Sequence, residues 1–409
     1  MKRSWFVVVF AVLLLMHPRQ GQAEPLQIYI DADYSISHEA ADAIEMGIRS
    51  ALSQVNDRLG GFEVEVVARD HHGNSKRSYR TMQQFLSNDR ALLMFGGLHS
   101  PPYLTHKDYI NSNELLMLLP WSAAGPITRS SEGTENWMFR LSIDDSKAGR
   151  FLVQSAVEDS GCQRLTLILV NTGWGRANQT SMTKAMEDLG ASAPTVIFFD
   201  QSIGKASAAT IAKQVARSQS DCAIMLAETL EAAHIVRALH ETVPGLKLFS
   251  HWAILGRQFA ELVPHDIRTD LRLRVLQTCG LKRELQNPEI LQQALQRIPG
   301  KGSAISRLSD FAAPPGFVHG YDLTLVLIAA AEQASKSPMW HNGIADKRRA
   351  LRQALENLQS PVPGILDTYS SPFAPYSHSN PDAHEALGAE HLCLSEYLAD
   401  GGLAHASDR

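Results

Sequence analysis

Short apolar runs alternate with amphipathic stretches of ten to fifteen residues from Leu26 to Ser250, and this rhythm restricts the fold more than any other feature of the chain. Residues 26–30 alternate like a strand and lead into an Asp- and Ser-rich loop, 31–37. Residues 39–59 place Ala43, Met46, Ile48, Ala51, Leu52 and Val55 on a stripe of about 3.6-residue period, which predicts a helix. Strands are expected at 62–68, 92–95 and 115–119, with helices at 75–86 and 105–113 between them. The pattern restarts near Ser146. Helices are then expected over 147–160, 177–189, 208–218 and 230–241, and strands over 165–170, 196–199, 223–227 and 247–250. Such alternation implies parallel sheets with right-handed crossovers, so two tandem blocks predict an α/β protein of two doubly wound, parallel-sheet lobes. Ligands of such sheets collect beyond the carboxyl ends of the strands. Five loops take that position: "FGGLHSPPYLTH" (95–106), "PWSAAG" (120–125), "VNTGWGRAN" (170–178), "LAETLE" (226–231) and "SHWAILG" (250–256).

The first residues set an expected address. Met1, Lys2 and Arg3 supply positive charge, 5–16 is apolar, and Gly21 and Ala23 put small residues at the −3 and −1 positions before Glu24. Residues 1–23 therefore read as a secretory signal peptide cut after Ala23. The apolar run is too short for a membrane anchor, and no Cys stands near the cut for a lipid anchor. No later run approaches the roughly 20 apolar residues of a membrane helix, so a soluble mature chain is expected. Its length, 24–409, exceeds what one core usually supports, and two domains are the default.

Acidic and basic residues, 43 against 38, are interspersed without a basic block, which argues against a nucleic-acid partner. The sequence holds no G-x-S-x-G elbow, H-E-x-x-H helix or phosphate loop, and Gly96-Gly97 lacks the G-x-G-x-x-G continuation. His71 and His72 are adjacent, so on extended backbone they point to opposite sides and cannot readily share a metal. His38, His99 and His251 would need their loops to converge. No cofactor and no metal are expected. Cys162, Cys222, Cys279 and Cys393 lack zinc-site spacing and, in an exported chain, read as two disulfides.

The order and spacing of several stretches resemble the periplasmic solute-binding proteins of the branched-chain amino acid type, within the type I bilobed ligand-binding fold. They are "AIEMGIRSALSQVN", "VEVVARDHHGNSKRSYRTMQQFL", "LLMLLPWSAAGPIT" and "HGYDLTLVLIAAAEQA", and the resemblance spans essentially the whole chain after residue 23. It implies two lobes joined by three crossover strands, placed near 139–144, 275–281 and 362–367. Lobe one would then comprise 24–141 plus 280–361, and lobe two 142–279 plus 362–409. In the 2-1-3-4-5 strand order that this implies, Cys162 and Cys222 precede neighbouring strands and would pair. That leaves Cys279 with Cys393, a bridge from a crossover to the strand-like "HLCLSEYL".

The resemblance also implies site residues. In relatives a Ser after the third strand and small polar residues after the fourth hold a ligand carboxylate, through hydroxyls and helix N-terminal N–H groups. Ser100 matches the first position, with His99 and Tyr103 beside it, while Trp121, Ser122 and Ala123 fill the second. Ser100 reads equally as an N-cap, and Ala123 stands where the family often has Thr. Trp174 matches an aromatic that closes over the ligand from lobe two. A ligand amine needs a carboxylate. The family's acid falls near Trp252 here, and Glu228 could substitute for it or simply face solvent. Trp121, Trp174, Trp252 and Tyr103 together would make an aromatic cleft, suited to a ring, an apolar tail or a cation.

The function so implied is a periplasmic, non-catalytic and monomeric binding protein that clamps a small organic ligand and delivers it to an ABC permease. The alternative keeps the fold but reports the ligand to a membrane receptor or kinase. An exported enzyme is the third reading, without a nucleophile–base pair to support it. The Pro-, Ser- and His-rich segment 368–391 fits no βα rhythm and reads as a lip of the cleft or a docking surface.

Overall fold

The computed structural model describes residues 24–130, 135–279, 287–300 and 305–406. The expected signal peptide lies outside them, as do 280–286 around the second expected crossover.

Two sheets organise the chain. The first contains β1 (Leu26–Ala32), β2 (Arg58–Leu59), β3 (Phe62–Asp70), β4 (Ala91–Gly96), β5 (Met117–Leu119) and β6 (Met138–Arg140), in the order β2-β3-β1-β4-β5-β6. The second contains β7 (Leu165–Val170), β8 (Thr195–Phe199), β9 (Cys222–Leu226), β10 (Lys247–Ser250) and β11 (Arg274–Thr278). After the short hairpin of β12 (Val362–Pro363) and β13 (Thr368–Tyr369), the second sheet is completed by β14 (Leu392–Tyr397) and β15 (Leu403–His405), giving β15-β14-β11-β10-β9-β7-β8. Both sheets therefore carry a parallel 2-1-3-4-5 core. The reason is visible in β4 and β7, which are buried along their whole length because helices cover both faces.

The helices of the first block are α1 (His38–Ser53), α2 (Ser75–Leu86), α3 (Pro101–Thr105) and α4 (Lys107–Ser112). Those of the second are α5 (Asp145–Gln154), α6 (Gly173–Asp188), α7 (Lys205–Ser218), α8 (Thr229–Thr242), α9 (Arg257–Leu262) and α10 (His265–Asp270). After them come α11 (Pro288–Gln296), α12 (Pro314–Ala334) and α13 (Ile344–Glu356). The expected helix over 39–59 ends at Ser53 instead. Asn56 and Asp57 turn at positive φ, 52° and 51°, and the chain enters the β2–β3 hairpin. α12 crosses α1 so closely that a Cβ on Gly320 would stand 2.5 Å from the Ile44 carbonyl oxygen. α12 thus returns the later chain to the first lobe, and its Asp322 accepts N–H bonds from Ile365 and Leu366 at 2.7 and 2.9 Å.

The cysteines pair as Cys162–Cys222 and Cys279–Cys393, with Cα separations of 5.8 and 5.1 Å. Within the Pro-, Ser- and His-rich segment 368–391, residues 377–388 form a strap along the first sheet. Glu385 bridges to Arg140 on the edge strand of the first sheet, and His384 stacks on Phe139 with ring centroids 3.9 Å apart. This strap touches both lobes, because Glu385 also receives Lys147 of α5 at 2.9 Å before β14 joins the second sheet.

Candidate functional site

The expected site residues follow the carboxyl ends of β4 and β5 on a first wall and those of β7, β9 and β10 on a second. On the first wall Asp33 accepts the N–H groups of Ser35 and Ile36 through Oδ1, which folds the loop after β1. Its Oδ2 is buried and has no hydrogen-bond partner. It faces His99 Nδ1 at 3.6 Å, while the His71 and His99 rings lie 6.3 Å apart. His71 is fully buried and His72 half-exposed, the opposed pointing that extended backbone requires. Burial pushes His71 down to about 4 and also lowers His99, so both rings are neutral at pH 7. Asp70 ends β3 as a turn-former, accepting from Tyr34 N, His72 N and Ser35 Oγ.

Several expected contacts take on internal roles. Tyr103 is fully buried; its hydroxyl donates to the Asp31 carbonyl at 2.6 Å and accepts the Gly97 N–H at 2.7 Å. It belongs to the lobe-one core and is removed from the cleft lining. Ser122 is buried and donates to the Gly97 carbonyl at 2.7 Å. Ser100 stands at the N-cap position of α3 but caps nothing with its side chain; its Oγ accepts the Ala124 N–H at 3.2 Å. Trp121 is buried edge-on to His319 of α12, with ring centroids 6.1 Å apart, so its indole packs inward. α3 opens with Pro101 and Pro102, neither of which has an N–H to offer an anion.

The second wall holds the aromatic cluster. Trp174 lies in the first turn of α6, after the Thr172 N-cap, and not on the preceding loop. It is half-buried and meets His251 edge-to-face at 5.3 Å, and His251 meets the buried Trp252 the same way at 4.5 Å. Glu228 N-caps α8 by position without a side-chain bond. Part of its side chain is exposed, yet loss of hydration, with Glu231 adding to it, pushes its carboxyl up to about 7. Arg176 is exposed and donates to Asn171, outside the cluster.

Asp145 joins the two walls. Its N–H donates to the Ala123 carbonyl of lobe one at 2.8 Å, and the Trp174 side chain lies against its carboxyl. Its Oδ1 lies 3.4 Å from His251 Nε2, and neither atom has a hydrogen-bond partner. The contact is not an ion pair. Burial, reinforced by Asp144, pushes Asp145 up to about 8, and burial pushes His251 down to about 3, so an acid meets a neutral imidazole. Asp145 also lines a cavity of ≈ 270 Å³ with Lys107, Gly125, Pro126 and Arg129 of lobe one and Ser146 and Ala177 of lobe two. The sequence offered one sign of Asp145. Two Asp begin α5 where one cap suffices, and Asp144 is the cap, accepting Ser146 N at 2.7 Å.

Beside the cleft, Asp144, Asp382 and Glu385 bring carboxylate oxygens within 4.8 Å of one another. Three cations answer three anions there: Arg129 reaches Asp144 at 2.6 Å, Arg140 reaches Glu385 at 2.6 Å, and Lys147 reaches Asp382 at 2.7 Å. This cluster is charge-balanced without a metal.

A family model described as "Periplasmic binding protein" matches residues 33–251. A leucine binding protein from Thermotoga maritima superposes with a TM-score of 0.72 at 14% identity, over 93% of this chain and 98% of that one. A solute binding protein of an ABC transporter from Rhodopseudomonas palustris, in complex with p-hydroxybenzoic acid, gives 0.73 at 15% identity, over 93% and 95%. A fatty acid ABC transporter substrate-binding protein from Thermomonospora curvata gives 0.71 at 15%, over 94% and 92%. No curated protein matches the chain.

Proposed function

The chain belongs to the periplasmic binding protein family, and from that premise we propose that it is an exported, non-catalytic and monomeric receptor that clamps a small organic ligand between its lobes and delivers it to an ABC permease. The observation that carries this reading is the junction at Asp145. One residue of lobe two holds the lobe-one loop by its backbone and turns an unpartnered carboxyl oxygen to the aromatic cluster, beside a cavity walled by both lobes. Hinge closure over such a junction is selected by any molecule that binds the closed form better than the open one. On this reading Ser100, His99 and Ala123 face the ligand from lobe one, and Trp174, Glu228 and Trp252 from lobe two. The relatives named above bear leucine, p-hydroxybenzoic acid and fatty acid in their descriptions, so the shared scaffold leaves ligand chemistry to the loops.

A thermal-shift screen over amino acids, aromatic acids, amides and amines tests the reading. A ligand at 100 times its Kd stabilises the folded form by about 2.7 kcal/mol through mass action, and the expected result is a saturable rise in Tm with the compound recovered unchanged. No shift from any class, or conversion of the compound into product, contradicts it.

A further inference from the structure

We propose that the cleft takes an organic cation of the arylalkylamine class, with Asp145 as the carboxyl that receives its ammonium group. The inference rests on the binding-protein reading and narrows it to one sign of charge. Asp145 is 4% exposed, its Oδ1 has no hydrogen-bond partner, and it lines the cavity between the lobes. A buried carboxyl must be paired or kept neutral. Among the described residues no cation pairs with it. Arg129 and Arg140 are held by Asp144 and Glu385, Lys147 by Asp382 and Glu385, and Lys107 donates to the carbonyls of Pro126 and Arg129. Asp145 is therefore a carboxyl whose counter-ion the chain does not supply.

The surroundings favour a cation joined to a ring. Trp174 and His251 touch Asp145, and Trp252 meets His251 edge-to-face, so an ammonium on Asp145 would lie against aromatic surface. Glu228 emerges from β9, which lies between β7 and β10 in the sheet, the two strands whose ends carry Trp174 and His251. A second carboxyl thus shares this edge. On the lobe-one side the two cations of the cavity wall, Lys107 and Arg129, are engaged by backbone carbonyls and by Asp144, and the first turn of α3 is poor in donors for a carboxylate. Pro101 and Pro102 lack N–H groups at the first turn of α3, and the Ser122 hydroxyl is turned onto the Gly97 carbonyl. His71 and His99, held neutral by burial, bring no positive charge.

The groups facing Asp145 are Asp144 at the cap of its helix, Arg140 from β6, Trp174 from α6 and His251 after β10, with Lys107 and Arg129 across the shared cavity. Burial and Asp144 keep Asp145 protonated at neutral pH, so an arriving ammonium must displace that proton. Amine binding should then release a proton and tighten as pH rises toward about 8.

Three probes share a phenyl ring and differ in charge: 2-phenylethylamine, L-phenylalanine and 3-phenylpropionate. Isothermal titration of the disulfide-bonded chain should give the amine an affinity at least about tenfold above the propionate, with the zwitterion between. Titration at pH 7 in two buffers of different ionisation enthalpy should show proton release in the unaltered protein, which needs no variant to fold. Asp145→Asn keeps the size of the side chain and an oxygen acceptor, and should leave the Tm of the empty protein in place. It should weaken the amine at least about tenfold and flatten its pH dependence, whereas Glu228→Gln should retain most of that dependence. A propionate that binds as tightly as the amine, an amine indifferent to Asp145→Asn, or no amine binding overturns the inference. In the first case the binding-protein reading stands; a screen without any ligand removes both.

Discussion

Two hydroxyls beside the cleft, those of Tyr103 and Ser122, are engaged by backbone groups of lobe one and brace the wall instead of touching a ligand. Trp174 differs: it keeps exposed surface and a neighbour, Asp145, that is incompletely bonded. Trp174→Ala should therefore lower the affinity for the compound found in the screen by at least about tenfold, while the Tm of the empty protein moves little, because a half-buried ring leaves little cavity. An unchanged Kd removes Trp174 from the site. Asp322 makes the converse case. Its carboxyl accepts from Ile365 N, Leu366 N and the Tyr369 hydroxyl, and Asp322→Ala should cost roughly 2–4 kcal/mol by stranding these donors, read as a lower urea midpoint at constant slope. The "HGYD" stretch carried a family resemblance in the sequence, but nothing in it showed which loop its Asp would hold. That loop is remote in sequence, and no periodicity reports such a partner.

At the scale of elements, the strands were the most legible feature. β7 and β10 span Leu165–Val170 and Lys247–Ser250, the limits that the apolar runs suggest, because a parallel strand covered on both faces is apolar throughout. The disulfide pairing is the one that the family resemblance implies through its strand order, and Cys222 indeed pairs in register with Leu165, three residues after Cys162. Thiol titration of the denatured, unreduced protein should accordingly find almost no free thiol, and four reactive groups would contradict both bridges. The strap 377–388 was not legible, because it is fixed by buried charge and not by an apolar stripe. Glu385 receives Arg140 at 2.6 Å and Lys147 at 2.9 Å, and both the Glu385 and Arg140 side chains are fully buried. Glu385→Ala leaves Arg140 short of its counter-ion and should cost about 3–5 kcal/mol. A loss below about 1 kcal/mol would mean that the network behaves like a surface pair.

Across the whole molecule, buried groups held neutral set the response to pH. Burial pushes Asp31 up to about 7 and Asp145 up to about 8, so the folded state holds protons that the unfolded chain releases. The stability these carboxyls contribute is full below the usual carboxylate range and is lost progressively from there up to pH 7 for Asp31 and pH 8 for Asp145, by up to about 1.4 kcal/mol per pH unit each. His71, His251 and His319, pushed down by burial to about 4, 3 and 3, act in reverse. Their contribution is full above the usual imidazole value and is lost as pH falls toward 4. Glu228 and Asp322, pushed up by burial to about 7 and 6, add to the carboxyl side, so the opposing contributions nearly offset below the usual imidazole value and the empty protein should melt lower at pH 8.5 than at pH 6.5; a Tm still rising at pH 8.5 would contradict these shifts. The bilobed plan was legible because two βα blocks repeat along the chain, whereas the ligand was not, because it is written in atoms left without partners. Small-angle X-ray scattering, with and without a saturating compound from the thermal-shift screen, tests the clamp most directly. Closure predicts a smaller radius of gyration with ligand, and a stabilising compound that leaves the scattering curve unchanged would contradict it.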